Sequence, residues 1–194
     1  MLIDIHTHNT HTEAQTIEAV GIHPWHALGA EVESLEAQAA HAEAIGEIGL
    51  DFACDVPREA QKAVFEAQLQ LAERLDKAVV LHCVRAFEEV MRMLEKHTLR
   101  AVIFHGFIGS VEQAQRAVAQ GYYLSFGERT ARSPKSIAAL RVVPLSQLFV
   151  ESDESLTPIA EIYEQIATLR GIPASTLAKA TRANFERLFG AHHL

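Results

Sequence analysis

Cysteine is scarce in this chain: Cys54 and Cys83 are the two among 194 residues. They make neither a disulfide framework nor a paired-cysteine zinc ribbon, and a reducing compartment is the simpler setting. Basic charge is in deficit as well. Lys and Arg number 17 against 25 Asp and Glu, a net charge of −8 with histidine neutral. That argues against a broad basic groove for nucleic acid. A small phosphate-bearing substrate stays open, because bound cations reverse a local field. No apolar run reaches the roughly 20 residues of a membrane span, and no basic-then-apolar leader opens the chain. The expectation is a cytoplasmic protein with no membrane attachment and no obligate protein partner. A Gly-x-Gly-x-x-Gly phosphate loop does not follow the first apolar stretch, which disfavours a dinucleotide-binding fold.

What is present is histidine, 11 in all, on an ordinary globular background of 48% hydrophobic and 22% charged residues. The length suits a single domain over 1–194. Short apolar runs begin near residues 2, 16, 44, 78, 101, 122 and 148, and amphipathic helices lie between them. A helix is expected over 30–42. Another covers 58–75, with Ala60, Ala63, Val64, Ala67, Leu71 and Leu75 as its apolar stripe. Phe87, Val90, Met91 and Leu94 share one face of a third. Ser110 and Gln113 form a capping-box signature, Ser133-Pro134 opens a further helix, and Gly171 closes the one before the last. Strand and helix in alternation predict a parallel α/β sheet. Runs such as 78–81 and 101–104 lack polar alternation, so they are buried on both faces. About seven strands are counted, in a barrel or an open sheet.

The chemistry gathers at the carboxyl ends of these runs. The first ends in His6 and His8, which share a face in an extended chain. The second ends in His23, the third in Glu47, the next two in His82 and His105, and the last in Asp153. In a parallel barrel such ends open on one face, where active sites are built. Singly, each residue has a plain explanation: a satisfied core histidine, a structural ion pair, a helix cap. Their recurrence at successive strand ends does not. Neutral nitrogens and anionic oxygens in this number suit two divalent cations, zinc, magnesium or manganese. A carboxylate such as Glu47 can bridge two metals, and a pair about 3.5–4 Å apart activates a water and clamps both oxygens of an in-line displacement. His11, His26, His41, His97, His192 and His193 fall in helices, loops or the tail and are expected at the surface. Cys83, facing away from His82, is expected in the core.

The stretches Ile3-Asp4-Ile5-His6-Thr7-His8, Gly21-Ile22-His23-Pro24, Ile45-Gly46-Glu47-Ile48-Gly49-Leu50-Asp51-Phe52, Leu81-His82-Cys83, Phe104-His105-Gly106-Phe107, Leu124-Ser125-Phe126-Gly127 and Glu151-Ser152-Asp153 resemble the TatD family of metal-dependent hydrolases. The close, Ala180 to Asn184 through Leu188-Phe189-Gly190, is similar too. The resemblance implies a distorted TIM-like (β/α) barrel. It implies that His6, His8 and Asp153 hold one metal, that Glu47 bridges, that His82 and His105 hold the other, and that His23 contacts substrate. Family members include metal-dependent deoxyribonucleases and 3′–5′ exonucleases, and a related activity removes D-amino acids from tRNA. This chain departs from the pattern in two ways. Only residues 11–20 separate the first two motifs, so one βα unit is expected to be missing. Trp25 and Val84 stand where the family often has His and Arg, and Arg85 is a substitute phosphate contact. Arg129 and Arg132 are weaker candidates. The first functional reading is a metal-dependent phosphodiesterase acting on DNA ends or small phosphodiesters, with Glu47 and Asp153 as catalytic carboxylates. An ester or amide hydrolase, such as a D-aminoacyl-tRNA deacylase or lactonase, is the alternative. An inactive metal-binding scaffold is the third reading.

Overall fold

The apolar runs near 44, 78 and 102 become adjacent parallel strands, because buried backbone must find partners and β-rich apolar segments find them in one another. The computed structural model describes residues 1–9 and 13–190. They fall into two compact units: Glu18–Phe104, and the two ends of the chain, Met1–Ile17 with His105 onward.

The continuous unit holds β1 (Ala19–Val20), α1 (Glu36–His41), β2 (Ala44–Asp51), α2 (Arg58–Arg74), β3 (Ala78–Val84), α3 (Phe87–Leu94) and β4 (Val102–Phe104). Its strands pair in sequence order and all in parallel, with Ala19 opposite Ala44, Ile45 opposite Val79, and Val79 opposite Val102. Ile45, Ile48, Val79, Val80, Leu81 and Ile103 have no solvent exposure, as expected for strands covered on both sides. Helix α3 buries Phe87, Val90, Met91 and Leu94 as its spacing predicts. Helix α2 does not follow its predicted stripe. Ala63 is exposed, and the buried face runs through Gln61, Val64, Phe65, Gln68, Leu69, Leu71 and Ala72. The two glutamines are inside because their amides satisfy strand and loop backbone. Gln61 accepts from the Asp51 N–H (2.8 Å) and donates to the Asp51 and Val56 carbonyls. Gln68 accepts from the Ile22 N–H (2.6 Å) and donates to the Ile22 carbonyl. A second correction concerns His97. Its side chain is 5% exposed, held between Glu66 and Glu73 on α2 at 3.1 and 3.0 Å. His26 and His41 are exposed as expected, and His11, His192 and His193 lie outside the described residues.

The second unit holds α4 (Val111–Ala119), β5 (Tyr123–Phe126), α5 (Pro134–Val142), β6 (Leu148–Val150), α6 (Ile159–Arg170) and α7 (Ala174–Phe189). Strands β5 and β6 are parallel, with Leu124 opposite Leu148. Local signals hold here. Ser110 and Gln113 make the reciprocal capping box of α4, Ser133 caps α5, and α6 ends at Gly171 in left-handed backbone (φ 73°).

Six strands form among the described residues instead of seven, because the opening stretch makes isolated parallel bridges, Ile3 with Gln15 and Thr7 with Asp153. It still runs extended. The Ile5 N–H donates to the Val150 carbonyl, the His8 N–H donates to the Asp153 carbonyl and the Asp153 N–H donates to the His6 carbonyl, the last two at 3.0 Å. The ladder fails between them because the Ser152 N–H donates to the Asp4 carboxylate (2.8 Å) in place of a main-chain carbonyl, and Asp153 is left-handed (φ 53°). Tyr163 on α6 anchors this stretch. Its buried hydroxyl donates to the Ile3 carbonyl (2.8 Å), accepts from the Ile3 N–H, and meets Thr181 of α7. Residues 13–17 hold no helix, in keeping with the short link. No helix among the described residues is long and apolar enough to cross a membrane.

Candidate metal centre

In the continuous unit, Glu47 and Asp51 lie on β2 and His82 on β3. The strands approach closely because Gly49 adopts φ 136° and a methyl there would collide with the His82 carbonyl. Glycine alone fits such backbone. Glu47 Oε1 stands 2.7 Å from His82 Nδ1 and 3.3 Å from His23 Nε2. Asp51 takes the other side of the ring, with Oδ2 3.1 Å from His82 Nε2. The Trp25 indole also donates to that oxygen (2.8 Å), and the Ala53 N–H donates to Oδ1. Burial works to raise the Asp51 carboxyl, but the hydrogen bonds from Trp25, Ala53 and His82 outweigh it and hold it below the usual carboxylate range. His23 ends the loop after β1 and caps the short turn Pro24–His26, its Nδ1 accepting from the Trp25 N–H at 3.2 Å. In a neutral ring the hydrogen then sits on Nε2, so His23 turns a donor toward Glu47.

In the other unit, His6 and His8 come from the opening stretch, His105 from the residue after β4, and Asp153 from the turn after β6. Asp153 Oδ1 lies 3.9 Å from His6 Nε2 and 3.7 Å from His8 Nε2. The His6 ring centre is 4.4 Å from that of His105. Glu151, fully buried, reaches His105 Nδ1 at 3.4 Å. Burial pushes the Glu151 carboxyl upward, yet the adjacent His105 and His6 hold it below its ordinary value. Asp153 is raised, chiefly by burial and then by the Glu151 charge. Behind the cluster, burial pushes Asp4 up to about 6 despite two hydrogen bonds from Ser152. At the rim the exposed Arg129 sits 3.9 Å from Asp153 Oδ2 and 3.4 Å from Glu154.

Each unit thus supplies three donors within 4.8 Å of one another: His23, Glu47 and His82 in one, His6, His105 and Asp153 in the other. Four ligands at about 2.1 Å around zinc stand about 3.4 Å apart, so modest closure brings His6, His105 and Asp153, or Glu47 with His82, into a shell, with His23 beside the second as a donor. The second observation for a metal is the partner of each inner histidine. Buried Asp51 faces the far nitrogen of His82, and buried Glu151 faces Nδ1 of His105. A ligating imidazole is held in this way by a carboxylate on its other nitrogen. Of the residues expected from the sequence, His6, His8, His105 and Asp153 come together, as do His23, Glu47 and His82. Arg85 sits exposed in left-handed backbone (φ 53°) just past β3, and the contacts that define the cluster do not include it. Cys83, expected in the core, is half-buried, and burial of its thiol pushes it up to about 12. Sequence reasoning assigned no role to Asp51 or Glu151. Strand alternation carried a signal for both, since Glu47, Gly49 and Asp51, and likewise Glu151 and Asp153, share a face in extended chain.

A parallel α/β fold with carboxylate-backed histidine clusters at its strand ends is that of a metal-dependent hydrolase. The chain belongs to the TatD family: the family described as "TatD related DNase" matches residues 4–190. It is 33% identical over 196 residues to the metal-dependent hydrolase YabD of Bacillus subtilis (strain 168), covering 88% of this chain and 76% of that one. It is 34% identical over 201 residues to the 3′-5′ ssDNA/RNA exonuclease TatD of Escherichia coli (strain K12), with the same two coverages of 88% and 76%. Among solved structures, the TatD homolog YJJV of Escherichia coli K12 superposes with a TM-score of 0.79 at 30% identity, over 90% of this chain and 77% of that one. A TatD family hydrolase from Entamoeba histolytica matches in fold, with a TM-score of 0.78 at 13% identity over 92% of this chain and 76% of that one. The TIM-like α/β class expected from the sequence is that of these neighbours.

Proposed function

We propose that this chain is a divalent-metal-dependent phosphodiesterase that removes nucleotides from the 3′ end of single-stranded nucleic acid. The observation that carries the reading is the carboxylate-backed histidine in each cluster, Asp51 behind His82 and Glu151 behind His105. The 3′-5′ ssDNA/RNA exonuclease named among the relatives supports the choice of substrate. His6, His8, His105 and Asp153 would hold one divalent ion, and Glu47 and His82 a second, zinc, magnesium or manganese; this grouping moves His105 away from the ion that the resemblance implied it shares with His82. When bound, such ions acidify a water and draw charge from phosphoryl oxygens.

The chain's own residues do the rest. Asp51 and Glu151 fix the orientation of the histidines, so their ligand nitrogens are aimed before substrate arrives. His23 presents its Nε2–H as a donor for a phosphoryl oxygen. Asp153 lies among the ligands where a carboxylate can accept the proton of the attacking water. Arg129 lies beside it at the rim, with a fork suited to a phosphate. An acidic chain without a broad basic groove fits an enzyme that grips an end.

The test is hydrolysis of 3′-labelled single-stranded DNA with Mg²⁺ or Mn²⁺. The expected result is release of the labelled nucleotide, abolition by EDTA, and a loss of about 100-fold or more in kcat/KM for Glu47→Gln. Equal release by Glu47→Gln, or release from carboxylic esters and none from oligonucleotides, overturns the reading.

A further inference from the structure

Trp25 is 54% exposed, although the turn around it is pinned by buried Pro24 and Ala27. A large apolar ring left in water beside a polar cluster asks for an explanation. Its one polar atom is already committed, because Nε1 donates to Asp51 Oδ2 at 2.8 Å. Asp51 is itself buried and bonded through its other oxygen to the Ala53 N–H. The ring also stands edge-on to His23, centroids 4.7 Å apart at 82°, and 6.2 Å from the ring of His82. The indole is therefore held on two sides, and its orientation is set before anything binds.

We propose that Trp25 is the stacking platform for a nucleobase of the bound strand end, adjacent to the phosphodiester that is cut. The inference rests on the nuclease reading above and adds the part of the substrate that is recognised. A phosphate met by His23 and the Glu47–His82 cluster has its attached nucleoside one linkage away, which is where this ring lies. Stacking asks for a flat, rigid, apolar face and tolerates every base. A ring already immobilised by a hydrogen bond and a histidine contact loses little side-chain entropy when a base settles on it. Discrimination follows: a base-bearing end binds better than a bare sugar-phosphate end.

The chain contains one tryptophan, so its fluorescence reports on Trp25 alone. With Mg²⁺ present, the protein is titrated with a hydrolysis-resistant phosphorothioate oligomer of deoxyadenosine and with an abasic oligomer of equal length. Saturable quenching by the first and none by the second is expected. In turnover of ordinary oligomers, Trp25→Ala raises KM about 5- to 100-fold on a base-bearing 3′ end with little change in kcat, and Trp25→Phe recovers most of the loss. On an abasic 3′ end, Trp25→Ala raises KM by much less, leaving only what the lost bond to Asp51 costs on both ends alike. An equal loss on both ends, or equal quenching by both oligomers, overturns the platform and leaves the nuclease reading standing. If wild type cuts neither oligomer the nuclease reading fails, and the fluorescence titration still decides whether a base stacks on Trp25.

Discussion

Asp51 meets three donors with two oxygens: Trp25 and His82 at Oδ2, Ala53 at Oδ1. It therefore controls two functional rings at once. Asp51→Asn turns an amide hydrogen toward one of those donors whichever way it flips. Metal affinity of the Glu47–His82 cluster is expected to fall about 10- to 100-fold, measured calorimetrically with Mn²⁺ or Zn²⁺, while the fold stays intact by circular dichroism. Tyr163 has a different part. Its hydroxyl, pushed up to about 12 mainly by burial, holds both polar groups of Ile3. Tyr163→Phe leaves a buried N–H and carbonyl short of a partner and is expected to cost about 1–3 kcal/mol of stability, read from urea unfolding. These two residues differ in how visible they are beforehand. Asp51 sits at a strand end in step with Glu47, so alternation exposes it. Tyr163 reads as one more apolar position on an amphipathic helix, because its partner lies 160 residues away in sequence.

Among the elements, α2 acts as a clip. Gln61 and Gln68 bond the backbone at Asp51 and Ile22, next to Asp51 and His23 of the cluster, and Glu66 and Glu73 hold His97 beyond α3. The Thr98 N–H donates to Glu73, and this bond, followed by the one from His97, keeps the Glu73 carboxyl below its usual 4.5. A carboxyl lowered on folding contributes stability that is full above its unfolded pKa and is lost as pH falls through the folded value. The wild type is therefore expected to lose Tm more steeply than Glu73→Gln between about pH 5 and about pH 3, followed by thermal melts. Strand cores, the capping box and the Gly171 stop were legible because each is a local pattern. The buried face of α2 was not, since a glutamine facing a strand backbone and a glutamine facing water look alike in a hydrophobic pattern. The opening stretch was read as a strand and is strand-like in shape. What broke its ladder was a side chain, Asp4, in the place of a main-chain acceptor.

For the molecule as a whole, metal is a ligand of the folded state, and so it stabilises by mass action. A divalent ion at 100 times its Kd is expected to add about 2.7 kcal/mol for each independent site, seen as a rise in Tm on titration with Mn²⁺. Replacing His105 or His82 with Ala removes part of the rise, and replacing both removes it. An unchanged Tm at saturating metal contradicts the assignment of both clusters. The candidate donor positions that the structure brings together were legible because they recur after successive apolar runs. The division into two units was not, because it joins the beginning of the chain to residues more than a hundred positions later.

That division sets an order of events during synthesis. The unit formed by Met1–Ile17 and His105 onward cannot close until the ribosome has delivered β6 and the helices after it, whereas everything in Glu18–Phe104 emerges as one uninterrupted piece. His6 and His8 are among the first residues made, and the Asp153 they face is among the later ones. They leave the ribosome as two histidines on an unpaired segment and become half of the proposed shell only when the last third of the chain arrives. On the proposed assignment, metal capture by this cluster is a closing step of biogenesis, and a ribosome stalled before Asp153 is expected to carry a nascent chain in which it has not occurred.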